Sequence, residues 1–151
     1  MKTLVLGLGN PLRCDDGVGI KVAEAVRKKI SCPEVEVVET DTSGFGLLDL
    51  LLGYEQAIII DAIQTSEGSP GQVYRLGLED LAPSQPTLTH SVDLPAAIKF
   101  GRELGLPMPE EVIIFAVEAQ DVTTFSEQCT SKVRQAIPKV VDLVLHELKS
   151  N

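Results

Sequence analysis

Three short segments of this chain, Thr3 to Leu8, Ala57 to Ile60 and Val112 to Val117, run apolar almost without interruption. That pattern restricts the fold more than any other feature. Successive side chains of a strand point to opposite faces, so a strand that is apolar at nearly every position needs cover on both sides. Amphipathic helices supply such cover, and the segments between the runs have the required period. From Gly17 to Ile30 the residues Val18, Val22, Val26 and Ile30 fall four apart on one helical face. Near the end of the chain Val133, Ile137, Val140, Val144 and Leu148 form another such stripe, with a kink or restart expected at Pro138.

The remaining segments complete an alternation of strands and helices. Val35 to Glu39 alternates apolar and charged residues, and Thr42-Ser43 offer caps for a leucine-rich helix over Gly44 to Leu52. Ala57 to Ile60 is expected to be the central strand, ended by Asp61. Gly71 to Leu76 reads as a further strand, followed by a polar, proline-bearing connection from Leu81 to Thr89 without a clear period. Ser91 to Leu104 reads as a helix with Pro95 in its first turn, where a missing N–H is harmless. The fold expected is α/β: a single three-layer domain over residues 1–151, with a mostly parallel twisted sheet flanked by helices.

The link between the first strand and the first helix is Gly7-Leu8-Gly9-Asn10-Pro11-Leu12-Arg13-Cys14-Asp15-Asp16-Gly17-Val18-Gly19. In outline it is a phosphate loop, yet its chemistry is wrong for one. Leu12 stands where a dinucleotide fingerprint needs its third glycine, and no Gly-Lys-Ser/Thr follows. A helix start with open N–H groups attracts anions. Here Asp15 and Asp16 already fill it, so the loop suits carboxylates that receive a cation.

Composition narrows the partners. With 13 Lys and Arg against 22 Asp and Glu, the formal net charge of −9 disfavours nucleic acid and anionic membrane surfaces as ligands. Three cysteines without a CxxC pair, and an N-terminus without a long apolar core, fit a cytoplasmic protein. No apolar run approaches the ~20 residues of a membrane span.

In open α/β sheets ligands sit beyond the carboxyl ends of the strands. Asp16 follows the first strand, Asp61 follows the central apolar run, and His90 stands where the proline-bearing connection turns into a helix. Two carboxylates and one imidazole suit a divalent transition metal with open coordination positions. Their separations are not a local metal motif, so only the fold can unite them. Plainer roles exist for each: Asp15 and Asp16 as helix caps, Asp61 as a turn acceptor, His90 as a cap-region histidine and His146 as a surface or packing residue. Asn10 suits the turn itself. Cys14, beside two carboxylates, has its thiolate disfavoured and makes a poor nucleophile. Thr42 and Ser43 lack a neighbouring base and read as caps.

Taken in order, Gly7-Leu8-Gly9-Asn10, Asp15-Asp16-Gly17-Val18-Gly19, Ile59-Ile60-Asp61-Ala62-Ile63 and His90 resemble the hydrogenase maturation endopeptidases, from Lys2 to about Leu148. That family trims the C-terminal tail of the large subunit of nickel-iron hydrogenases. The resemblance implies a phosphorylase/hydrolase-like α/β fold, and a metal site that falls here on Asp16, Asp61 and His90. It implies that the nickel is supplied by the substrate, a nickel-loaded large-subunit precursor, and that no organic cofactor is permanently bound. Asp15, Asn10 and Asp41 are weaker candidates at the same cleft. The family's Asp-Gly-Gly-Thr segment corresponds here to Glu39-Thr40-Asp41-Thr42, a departure that bears on this loop and on the substrate subgroup. Two rival readings remain. A peptidyl-tRNA hydrolase-like enzyme shares Gly7 to Pro11 but would need a His followed by Asn where Asp15-Asp16 stand, and a non-catalytic metal-checking chaperone would use the same three ligands.

Overall fold

A computed structural model describes residues 2–81 and 94–150. Its five strands are β1 (Thr3–Leu8), β2 (Val35–Thr40), β3 (Gln56–Ile63), β4 (Val73–Leu76) and β5 (Glu111–Glu118). They form one sheet in the order β2-β1-β3-β5-β4, with β3 in the centre as its unbroken apolar run requires. The first four in that order pair in parallel, and β4 closes the edge antiparallel to β5.

Helices cover both faces. On one side α1 (Val18–Lys29) and α4 (Ser131–Lys149) bury Val18, Val22, Val26, Val133, Val140 and Val144 against Val5, Ile58, Ile60 and Phe115 of the sheet. On the other, α2 (Leu48–Leu51) with the turn before it, and α3 (Leu94–Glu103), bring Leu47, Leu51, Leu94 and Ile98 against Leu4, Leu6, Ile59 and Ile114. The alternation along β1 and β3 thus serves two separate cores. Each buried Leu, Ile or Val is worth roughly 1.5–3 kcal/mol relative to exposure.

Several expected boundaries move. The strand read as ending at Asp61 continues to Ile63, because its last residues pair in register with Ala116, Val117 and Glu118 of β5. The segment 44–52 holds a 3-10 turn (Gly44–Leu47) and one α turn, and Ser43 makes no side-chain cap bond there. α4 runs without a break through Pro138. The helix read from Ser91 is described from Leu94 onward, and residues 82–93 lie outside the described part.

At the start of α1 the backbone packs closely against β1 and β3. A Cβ added to Gly19 would lie 2.4 Å from the carbonyl oxygens of both Leu8 and Ile60, and one on Gly7 would lie 2.4 Å from the Gly19 carbonyl. Glycine at both places lets α1 press its first turn onto the carboxyl ends of β1 and β3 together. From β1 the sheet extends to β2 on one side and to β3 on the other, so this is also where strand order reverses.

Candidate active site

The turn that follows β1 is held by its own side chains. Asn10 N–H donates to Asp16 Oδ2 at 3.0 Å, and Leu12 N–H donates to Asn10 Oδ1 at 2.9 Å. Gly9, at φ +147, has the Asp16 carbonyl where a Cβ would be, 2.0 Å away. These contacts fold residues 9–17 tightly enough to lay a 3-10 turn, Cys14–Gly17, against β3. Asp16 is buried within it, 4% exposed.

Asp61 reaches the same end of the sheet from β3. It is fully buried, and Oδ1 accepts the Ala62 N–H at 2.9 Å. By strand alternation it lies on the side of Ile59 and Ile63, the face packed by α2 and α3. Asp16, in the turn that follows β1, and Asp61, near the end of the adjacent parallel strand β3, thus belong to the carboxyl end of the sheet at the switch point, and each carboxylate accepts a backbone N–H. His90 lies among the residues that are not described, four positions before Leu94. Among the described residues no group of three or more His, Cys, Asp and Glu side chains forms a metal-holding cluster.

Asp15, next to Asp16 in sequence, points elsewhere. Neither the 3-10 turn nor α1 receives a side-chain cap, so capping of its own helix is not what it does. Its Oδ2 accepts the N–H groups of Gln120 and Asp121 at 2.9 and 3.0 Å, and Oδ1 accepts the Thr130 N–H at 2.7 Å. Thr130 Oγ1 lies 3.0 and 2.8 Å from the two oxygens. Asp15 thus ties the first loop to the β5–α4 connection. Asn10 is half-buried, and Asp41 is exposed just beyond β2, where Thr40 accepts the Gly9 N–H at 3.1 Å.

A fourth buried carboxylate, Glu118, ends β5 and was not among the sequence candidates. It accepts Thr65 N–H at 2.8 Å, Thr65 Oγ1–H at 2.6 Å and the Tyr74 hydroxyl at 2.9 Å. Burial, then this bond to Glu118, raises the Tyr74 hydroxyl above its ordinary pKa. The signal was present: Glu118 follows the apolar run Val112–Val117 as Asp61 follows Ala57–Ile60. Its bonds gather the loop after β3, so it shapes the flank of the cleft.

The two buried thiols, Cys14 and Cys129, are poor nucleophiles. Burial, followed by the Asp15 charge, raises Cys14, and the same two causes push Cys129 up to about 11. All three cysteines are free. No helix among the described residues is long and apolar enough to cross a membrane.

Residues 20–147 match the family described as HycI, hydrogenase maturation protease. This chain belongs to the hydrogenase maturation protease family. It is 34% identical to the hydrogenase 2 maturation protease of Escherichia coli over a stretch that spans 54% of this chain and half of that relative. It is 26% identical to the hydrogenase expression/formation protein HupD of Bradyrhizobium diazoefficiens, over 97% of this chain and 78% of the relative. Its fold is similar to that of the hydrogenase maturating endopeptidase HybD from Escherichia coli, with a TM-score of 0.85 at 27% identity, covering 99% of this chain and 93% of that one. The five-stranded sheet flanked by helices is that protease fold, and the chain is a hydrolase by family. The likeness to a peptidyl-tRNA hydrolase stays confined to Gly7 to Pro11.

Proposed function

We propose that this protease removes the C-terminal extension of a nickel-iron hydrogenase large-subunit precursor, and that it recognises the nickel already carried by that substrate. The observation that supports this most is the pair Asp16 and Asp61. Both are buried at the carboxyl ends of adjacent strands, each oriented by a backbone N–H, at the switch point where α/β sheets bind ligands. Buried carboxylates are expensive unless paired or offered to a cation. His90 completes the proposed set.

Two oxygens and one imidazole leave coordination positions for the precursor's own thiolates. In this reading Asp16, Asp61 and His90 hold the loaded precursor by its metal and so set the scissile bond in one orientation, which is where binding geometry contributes to rate. A site with only three protein ligands can release the ion with the subunit once the tail is cut. Three free cysteines fit action in the reducing cytoplasm.

The test is incubation with nickel-loaded precursor, reading the mass of the released peptide. Release of one C-terminal peptide from loaded precursor alone is expected. Absence of cleavage with demonstrably loaded precursor would remove the protease reading, and nickel-dependent binding without cleavage would support a metal-checking chaperone instead.

A further inference from the structure

Within the four-residue turn Cys14–Gly17 two adjacent carboxylates are buried, and only one is turned to the site described above. Asp15 is fully buried and meets three segments at once: its own turn, the start of the β5–α4 connection at Gln120 and Asp121, and Thr130 at the N-terminal boundary of α4. Three backbone bonds run beside it. Asp15 N–H donates to the Asp121 carbonyl, Cys14 N–H to the Ser126 carbonyl and Ser126 N–H to the Leu12 carbonyl, each at 2.9 Å.

The turn needs this support. Cys14 sits at φ 56, a left-handed conformation that a residue with a side chain keeps only when its surroundings dictate it. The surface that dictates it is itself stiff: Asp121 Oδ1 accepts the N–H groups of Thr123 and Thr124, both at 2.9 Å. Asp16 follows immediately, and its N–H is bound to the Arg13 carbonyl at 3.1 Å. Any relaxation at Cys14 and Asp15 is therefore transmitted to Asp16.

We propose that Asp15 is the positioning residue of the site: by clamping the β1–α1 turn to the β5–α4 connection, it fixes where the Asp16 carboxylate points. The proposal rests on the reading of Asp16 as a metal contact, and its first measurement does not. Asp15→Asn replaces one of the two acceptor oxygens with an NH2 group, set against the donors either at 120 and 121 or at 130, whereas Thr130→Val removes the hydroxyl contacts and keeps the Thr130 amide.

Amide hydrogen exchange at Asn10 reports the Asn10–Asp16 bond directly. Exchange at Asn10 is expected to rise about tenfold in Asp15→Asn and less in Thr130→Val, while the amides of β3 keep wild-type rates. A clamp serving only the β5–α4 connection would speed exchange at 120–130 and leave Asn10 unchanged, which overturns the proposal. If Asp15→Asn does not fold, Thr130→Val carries the same comparison. The second measurement is calorimetric titration with Ni2+ alone, for which outer-shell partners are typically worth 10–100-fold in affinity. About tenfold weaker binding is expected for folded Asp15→Asn, with Asp16→Asn weaker still. Wild-type affinity in Asp16→Asn would sink the reading of the site, whereas loss in Asp16→Asn with none in folded Asp15→Asn would sink the positioning role alone.

Discussion

The two ends of the sheet treat buried polarity in opposite ways. At the amino end Thr3, Gln56 and Glu111 stand in one row across β1, β3 and β5, where Thr3 Oγ1 donates to Gln56 Oε1 at 3.3 Å and Gln56 Nε2 donates to Glu111. The two buried members of that row, Thr3 and Gln56, are neutral. At the carboxyl end the buried polar residues among those described are Asp15, Asp16, Asp61 and Glu118, all acids. Among the described residues no buried side-chain nitrogen or oxygen lacks a hydrogen-bond partner, so neither end is defective. Neutral pairs close a sheet at little electrostatic cost. A cluster of acids at one end costs self-repulsion and desolvation, which a fold maintains where those charges have work.

Substitutions at the two ends should separate these roles. The largest effect is expected for Asp61→Asn, which keeps an acceptor for the Ala62 N–H and the shape of the side chain. It should abolish peptide release from loaded precursor while the urea midpoint stays within about 1 kcal/mol of wild type. Full processing by this variant would take Asp61 out of the site.

Gly19→Ala forces a methyl onto the Leu8 and Ile60 carbonyls and should cost about 3 kcal/mol, the upper part of the overpacking range, by urea denaturation. Because it lifts α1 from β1 and β3 together, processing should fall with it. Gln56→Ala, at the other end, removes the partner of Thr3 and Glu111 and should cost about 1–2 kcal/mol with processing unchanged. A processing defect there would break the contrast between the ends. Tyr74→Phe removes one bond to Glu118 and should cost about 1 kcal/mol.

The smallest effect concerns acid. The Thr124 hydroxyl and the Thr124 and Thr123 amides hold the Asp121 carboxyl down at about 2, against an ordinary 3.8. Lowering of a folded-state pKa means that the carboxylate supports the native state fully above the ordinary value and loses that support as pH falls toward 2. The Thr123 and Thr124 amide shifts should therefore stay constant between pH 5 and 8 and titrate with a midpoint near 2. A midpoint near 4 would show that the exposed turn is not ordered by these bonds.

Much of the architecture was legible because it depends on local periodicity. The unbroken run at 57–60 identified the central strand, and the four-residue spacing in 18–30 identified the face of α1 that is buried. The strand end expected at Asp61 falls two residues short, since the register with β5 that extends the strand to Ile63 is non-local. Glu118 was missed although its local pattern matches that of Asp61. The 44–52 segment shows the opposite failure: its leucine content and the cap candidates Thr42-Ser43 point to a helix, and the chain instead makes a 3-10 turn and one α turn.

The sequence by itself determined the layered α/β order, the acidic replacement of a phosphate loop and the ordered segments that mark the family, because each is written in short-range spacing and residue type. The resemblance favoured Asp16 over Asp15 as the ligand, and only the tertiary structure showed which partners each carboxylate takes. The two carboxylates are chemically identical and adjacent, and nothing local distinguishes them. One meets donors more than a hundred positions away at Gln120, Asp121 and Thr130, and the other stays with Asn10 beside β3. That division follows from where α1 is pressed against the sheet and where β5 delivers its loop, both of which are consequences of packing rather than of any local motif.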